Sequence, residues 1–188
     1  MSELITRLPL PVLILFYLFV YLSCTETNNK VPESTLELRD SLIYKKGSKI
    51  PFTGRERALI ENKIIEYDVV NGVKTGEFKL YYENGNLEIA GNLQNNLNVG
   101  RWQYFYETGQ IESEGDFADN FPDGTWKWYY RSGSLREEGR FIKGNRIGVW
   151  RQFNKQGDVI EENEFLLSDS LNTTPDRIEN LKNNNFQK

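Results

Sequence analysis

The chain contains no histidine, and its single cysteine is Cys24. The absence of histidine excludes His-based general base catalysis, and together with the lone cysteine it excludes Cys/His metal sites. One cysteine also cannot form a disulfide within the chain. Basic residues are in the minority, since 188 residues carry 23 Lys and Arg against 27 Asp and Glu. We therefore expect no cofactor, no metal ion and no nucleic-acid partner, because no basic face is available to bind phosphates.

Carboxylates remain as the only groups that could carry catalysis. The candidates are Glu112, Glu114, Asp116, Glu137, Glu138, Glu161, Glu162 and Glu164. The cations Lys127, Arg136, Arg140 and Arg151 are interspersed among them. This is typical of a solvated and charge-balanced face. No loop has the regularly spaced oxygen ligands of a calcium site. We expect the protein not to be an enzyme, and a carboxylate-based hydrolase of envelope polymers is the least favoured alternative.

Only one long hydrophobic run is present, from Leu8 to Leu22. About 15 apolar residues are short for a bilayer span, which needs about 20, and fit the core of a signal peptide. The segment Tyr21–Cys24 resembles the lipobox of bacterial lipoproteins, whose cysteine is acylated and becomes the first residue of the mature protein. The resemblance implies a signal peptide over 1–23, lipidation at Cys24 and a location in the cell envelope. The outer membrane is the default, since Thr25 follows, and an uncleaved membrane anchor is the alternative.

A segment of the chain recurs at a constant step of 24 residues. The copies begin at Gly76, Gly100, Gly124 and Gly148. A fixed period of about 20 to 50 residues indicates an array whose units bury apolar surface against their neighbours. Between Gly76 and Phe165 the copies hold 10 Lys and Arg against 15 Asp and Glu, a net charge of −5. Function is therefore expected on an extended, acidic surface.

Each copy has the pattern of a β-hairpin. In the second copy, apolar residues alternate from Trp102 to Tyr106, Gly109 interrupts, and alternation resumes from Ile111 to Phe117. Period-two alternation on both sides of a glycine turn predicts two antiparallel strands. In the first copy the turn is Asn84-Gly85, a pair that tolerates positive φ at both residues. The predicted fold is all-β, with tandem hairpin repeats of 24 residues in one elongated, twisted antiparallel meander sheet.

The order of glycine, spaced aromatics, an Asn-Gly-type turn and an aliphatic residue resembles the MORN repeat variant family. The resemblance covers four repeats over 76–165 and extends weakly to degenerate opening repeats over 41–75, where 54–75 fits either two irregular strands or a short helix. The polar stretch 24–40 is predicted to be a flexible tether, and 166–188 a polar tail, partly helical or disordered. Family members are often labelled antitoxins or immunity-like proteins. The resemblance thus implies a protein partner, such as a toxin or an envelope protein.

Positions that stay apolar in every copy are predicted to form the core. Aromatic residues hold the third position (Phe78, Trp102, Trp126, Trp150) and the sixth (Tyr81, Phe105, Tyr129, Phe153), and the second strand holds Leu87, Ile111, Leu135 and Val159, then Leu93, Phe117, Phe141 and Phe165. In a flat strand the third and sixth positions face opposite sides. The strand is therefore bulged or strongly twisted, or both faces carry rings. Strand glycines at Gly91, Gly115 and Gly139 indicate the close approach of a neighbouring ring.

The fifth and seventh positions are apolar or aromatic in three copies and polar in the last, at Gln152 and Asn154. One interpretation is packing between repeats, with the last copy as a polar cap. The other is an aromatic binding stripe, formed by Tyr82, Tyr104, Tyr106, Trp128 and Tyr130. The predicted function is a non-catalytic, envelope-anchored protein-interaction module, for which the family resemblance implies an antitoxin-like or immunity-like role. Alternatives are an architectural lipoprotein spacer and a scaffold that binds a glycan or, less favoured on an acidic sheet, a lipid.

Overall fold

The structure is a computed structural model that describes residues 31–166. A short hairpin of β1 (Leu36–Arg39) and β2 (Leu42–Lys45) precedes one sheet of ten strands in chain order. The strands are β3 (Gly54–Ile60), β4 (Lys63–Val70), β5 (Val73–Tyr81), β6 (Leu87–Gln94), β7 (Leu97–Phe105), β8 (Ile111–Ala118), β9 (Phe121–Tyr129), β10 (Leu135–Ile142), β11 (Asn145–Phe153) and β12 (Val159–Phe165). Every neighbouring pair is antiparallel. The predicted all-β meander of hairpin repeats is confirmed.

Two kinds of turn alternate along the sheet. Turns between repeats have two central residues with positive φ, as at Asn95 (53°) and Asn96 (65°). Turns within a repeat are longer, and at Asn84-Gly85 only the glycine has a positive φ, of 86°. The side-chain oxygen of Asn84 accepts the Asn86 N–H at 2.9 Å, which closes the turn locally. The position of the turn at Asn84-Gly85 is predicted correctly, but its type is not. The prediction is a positive φ at both residues, whereas a turn that ends in a glycine bulge needs a positive φ only at the glycine.

Register shifts decide which way the rings face. Tyr104 pairs with Ser113 and Phe105 with Ile111, so that Glu112 is an extra, bulged residue on β8. Within β7 the alternation is unbroken, and Trp102 and Phe105 therefore lie on opposite sides of the sheet. Both sides carry rings, as one of the sequence-based alternatives states. We call the side of Trp102 and Tyr104 the aromatic face, and the side of Gln103 and Glu114 the charged face.

Three tryptophans are buried although the sheet is a single layer. Trp102, Trp126 and Trp150 are only 4%, 5% and 3% exposed. Each indole lies flat across a glycine of the preceding strand, at Gly91, Gly115 and Gly139, where an added Cβ would overlap the ring. Each indole N–H also donates to a backbone carbonyl on that strand, at 3.2, 3.0 and 3.3 Å. The prediction that these glycines mark the approach of a ring is confirmed.

The turns between repeats are also joined to one another. Asn96 accepts the Lys74 N–H through its side-chain oxygen at 2.8 Å and donates its own N–H to the Lys74 carbonyl at 2.9 Å. Two repeats later Pro122 holds the place of Lys74 and has no N–H to donate. Gly144 stands opposite it, and its N–H still bonds the Pro122 carbonyl at 2.8 Å. An asparagine side chain is therefore present where the facing residue has a backbone N–H to donate. It is absent opposite Pro122, which has no N–H.

The last strand is not covered as the predicted core would require. Val159 is 51% exposed on β12, whereas the residues at the same position of the earlier copies, Leu87, Ile111 and Leu135, are partly buried. Strand β12 pairs only with β11 among the described strands. The apolar residues of each repeat are thus buried by the repeat that follows it. No repeat follows β12 in the described part of the chain.

The β1–β2 hairpin packs on the first strands of the sheet. Ile43 forms a small core with Tyr67 and Val69, and its N–H donates to the Gly72 carbonyl at 2.9 Å. The tether predicted over 24–40 is therefore wrong at its end, because Leu36–Arg39 form β1 and Leu36 packs against this core. The undecided span 54–75 consists of β3, β4 and the start of β5.

No helix occurs within residues 31–166, and so none there is long and apolar enough to cross a membrane. The predicted signal peptide, Cys24 and the predicted tail helix lie outside the described residues.

Candidate functional site

The five residues of the predicted stripe fall into two groups. The hydroxyls of Tyr82, Tyr106 and Tyr130 each donate to a backbone carbonyl of the following repeat, at 2.6, 2.6 and 2.8 Å. Tyr106 is 9% exposed. These three tyrosines therefore join consecutive repeats, which agrees with the packing interpretation for the seventh position. Asn154, at that position in the last copy, instead caps its own turn by accepting the N–H groups of Gln156 and Asp158.

Tyr104 and Trp128 lie together on the aromatic face, in a groove of about 460 Å³. The groove is lined by Tyr104, Glu112, Ser113, Phe117, Pro122, Trp126, Trp128, Arg136 and Phe141. Trp128 lies between two buried indoles, with ring centroids 5.8 Å from Trp126 and 5.6 Å from Trp150. Its ring is tilted by only 32° and 37° to theirs. The rings thus overlap along the groove, and Trp128 and Tyr104 remain partly exposed.

Two charged side chains line the same groove. Glu112 and Arg136 occupy the bulges of β8 and β10, where the pairing skips one residue. Neither forms a hydrogen bond or an ion pair with another residue of 31–166. The equivalent position one repeat earlier is Glu88, whose carboxylate lies 2.7 Å from the Lys63 ammonium. The carboxylate is paired with a cation in the first repeat, whereas the charged groups of the next two repeats form no ion pair within residues 31–166.

Sequence reasoning named Glu112 and Arg136 only as members of a solvated charged face. The assumption of strict alternation placed them opposite the aromatic residues. The bulge adds one residue and brings them to the groove instead. The available signal was the extra residue in the second strand, which appears only when the two strands of a repeat are paired residue by residue.

The groove is closed at the side of the last repeat. The guanidinium of Arg146 lies 4.0 Å from the ring centroid of Trp150, and one of its nitrogens is 3.6 Å from the Glu137 carboxylate. The fifth position there is Gln152 in place of an aromatic residue. The accessible aromatic surface is therefore concentrated on β7 to β10.

The charged face has a different chemistry, because its groups bind one another. The Glu114 carboxylate accepts from the Tyr129 hydroxyl at 2.8 Å and from Gln103 at 3.1 Å, and lies 2.9 Å from Arg101. Burial, with the hydrogen bond to Glu114, raises the pKa of Tyr129 to about 12. Burial alone would raise the pKa of Glu114, but the hydrogen bonds it accepts outweigh this and lower it.

An equivalent cluster surrounds Glu66. Its carboxylate lies 2.7 Å from Arg57 and 3.3 Å from Arg55, and it accepts the Tyr81 hydroxyl at 3.5 Å. Both clusters are internally paired, which suits a structural role. Within residues 31–166, no group of three or more His, Cys, Asp or Glu residues could hold a metal ion.

Three segments of the chain match the MORN repeat variant family model. They are residues 74–95, 98–119 and 122–143. They correspond to the copies that begin at Gly76, Gly100 and Gly124, each with the two strand residues that precede its first glycine. No curated protein matched the chain. All nine residues that line the groove fall within the second and third matched segments. The matches suggest a repeat-based, non-catalytic binding module.

Proposed function

We propose that this protein is a non-catalytic binding module held at the cell envelope, and that the groove on its aromatic face is the binding surface. One observation carries the proposal: Glu112 and Arg136 line an open aromatic groove and form no hydrogen bond or ion pair with another residue of 31–166. A surface group without a partner is unremarkable in water, but here one of each sign borders exposed rings of Tyr104 and Trp128. Tyrosine, tryptophan and arginine are the residue types that dominate binding energy at interaction sites.

The binding surface can be tested through tryptophan fluorescence. Of the four tryptophans, Trp128 alone is partly exposed. Solubilised envelope material that contains the ligand should shield Trp128 from quenching by acrylamide when added to the full chain in mild detergent. The Trp128→Phe variant, which keeps a ring but loses this indole, should show no such protection. If the envelope material protects wild type and Trp128→Phe equally, or neither, the groove is not the binding surface.

Anchoring at the envelope is supported by the resemblance of Tyr21–Cys24 to a lipobox. The full-length protein expressed in a bacterium should partition into the detergent phase of a Triton X-114 extraction. The Cys24→Ser variant should move to the aqueous phase if an acyl chain at Cys24 is the anchor. A retained uncleaved segment would instead hold both proteins in the detergent phase, and would contradict lipidation while leaving envelope attachment intact.

An immunity-like role is the protein-binding version of the proposal. It is supported by the label carried by members of the MORN repeat variant family, and by the net charge of −5 over 76–165, which favours a basic partner. A secreted toxin encoded beside this chain would be the first partner to test. Co-expression should protect cells from it, and Trp128→Ala should reduce the protection more than Lys127→Ala, which changes the neighbouring residue on the charged face.

A further inference from the structure

We infer that the ligand of the aromatic groove is a neutral saccharide. This inference rests on the proposed function, because it names the ligand class of the same surface. Four properties of the groove support it. Its backbone belongs to interior strands that are paired on both sides, its volume suits a small ligand, its lining charges balance, and two of its aromatic rings are partly exposed.

The backbone beneath the groove offers no open strand edge. Strands β7, β8, β9 and β10 are interior strands, each paired on both sides. An extended peptide that binds a sheet gains its main-chain hydrogen bonds at an open edge. Within this groove such a peptide would bury its own N–H and C=O groups without partners, which is costly. A ligand that carries its polar groups on its rim fits better.

The size of the groove suits a ring-sized unit. Its volume of about 460 Å³ lies within the range of small-molecule sites. A helical segment of only two turns, about 10 Å wide and 11 Å long, fills about 850 Å³. An amphipathic helix would therefore rest on the groove without entering it.

The charges at the groove favour a ligand without net charge. Glu112 and Arg136 are the only ionisable side chains among its lining residues apart from the Tyr104 hydroxyl. A polyanion would be attracted by one and repelled by the other, and the same holds for a polycation. A polyhydroxylated ligand can use both, because a hydroxyl donates to a carboxylate and accepts from a guanidinium. Vicinal hydroxyls of a sugar offer both functions on one face of the ring.

The exposed rings supply the complementary apolar surface. The C–H bonds on one face of a pyranose carry slight positive charge, and the face of an aromatic ring carries negative charge. Trp128 and Tyr104 present partly exposed rings next to the charged pair. The sugar ring thus stacks on Trp128, and its hydroxyls reach Glu112 and Arg136.

Calorimetric titration of the full chain tests this directly, in a detergent without a sugar headgroup. The probes are cellotetraose, chitotetraose and maltotetraose. At least one is expected to bind, and both Glu112→Gln and Arg136→Gln should weaken it by about tenfold or more. The matched controls are Glu138→Gln and Lys127→Gln, which remove the same charges from the charged face and should change the affinity less than about twofold. Trp128→Phe should keep the heat of binding and abolish the fluorescence change.

The outcomes separate the ligand class from the proposed function. If no tetrasaccharide binds while envelope material still shields Trp128, the saccharide inference is wrong and the binding module stands. If an arginine-containing basic peptide binds through Glu112 and Trp128 and the sugars do not, the ligand is a protein. If a sugar binds equally well to the groove variants and the controls, its site lies elsewhere and the inference is overturned. If neither sugars nor envelope material act on the groove, both proposals fail.

Discussion

The aromatic face is covered in two different ways along the sheet. At β3 to β5 the β1–β2 hairpin lies over it, and Tyr67 and Val69 are 7% and 1% exposed beneath Ile43. At β7 to β10 no second layer is present in the described part of the chain, and the tryptophans bury one another by lying across glycines. The hairpin buries Tyr67 and Val69 beneath it, whereas the tilted rings cover one another and leave a groove. The difference shows how one repeat pattern can provide both a closed end and an open site.

The charged residues follow the same division. Lys63 neutralises Glu88 near the covered end, and the two equivalent positions that follow, Glu112 and Arg136, are without partners among residues 31–166. The covered end thus pairs its charge internally, whereas the open repeats keep two charges at the groove that no neighbouring side chain of the described residues pairs. The predictions below test this separation.

The largest effect is expected where rings replace a second layer. In Gly115→Ala the new Cβ would overlap the Trp126 indole, which is 5% exposed, so that the ring must leave its place on β8. We expect a loss of about 3 kcal/mol in the free energy of unfolding, measured by urea denaturation. The control is Asn163→Ala, at the same position of the last copy, where no later tryptophan lies on it among the described residues. It should change stability by less than about 0.5 kcal/mol. Equal losses would mean that ring-on-glycine packing is not what holds the open region together.

Removal of contacts at the covered end should cost less and act locally. Ile43→Ala empties the centre of the hairpin contact with Tyr67 and Val69, and we expect a loss of about 2 kcal/mol. Hydrogen exchange should increase at β3 to β5 and remain unchanged at β7 to β10. A uniform increase along the sheet would show that the hairpin stabilises the whole array, and that the two regions are not separate.

The repeat pattern predicted the fold well and the site poorly. Glycine and aromatic spacing is set by local strand geometry and neighbour packing, so that Trp102 on Gly91 could be anticipated from sequence. The groove depends on bulges, which shift Arg136 to the aromatic face without any change in residue type. The hairpin over β3 to β5 depends on contacts between Ile43 and Tyr67, which are distant in the chain. The bulge becomes visible only when the two strands of a repeat are paired residue by residue, and the hairpin contact lies outside the repeated segment.

Tyr104 and Tyr106 lie two residues apart and have different roles. Tyr106 connects two repeats, whereas Tyr104 lines the groove. Tyr106→Phe removes the hydroxyl that donates to the Tyr129 carbonyl at 2.6 Å and leaves that buried acceptor short of a partner, with an expected loss of about 1 kcal/mol. Tyr104→Phe removes a hydroxyl without a hydrogen-bond partner in residues 31–166 and should be neutral to stability. Thermal unfolding of both variants compares them under one condition. A larger loss for Tyr104→Phe would reverse the assignment of the two positions.

The smallest effect is a pH dependence confined to the charged face. The pKa of Tyr129 is raised to about 12 from an ordinary value of 10, mainly by burial and also by its hydrogen bond to Glu114. A raised pKa in the folded state stabilises the fold at pH values below 10, and this contribution is lost as the pH rises from about 10 to about 12. The difference in free energy of unfolding between wild type and Tyr129→Phe should therefore be constant from neutral pH to about pH 10 and decrease above it. Because Tyr129 faces away from the groove, saccharide affinity at neutral pH should be the same in both proteins. A change in that affinity would mean that the two faces are coupled through β9, and that the division between a structural face and a binding face is wrong.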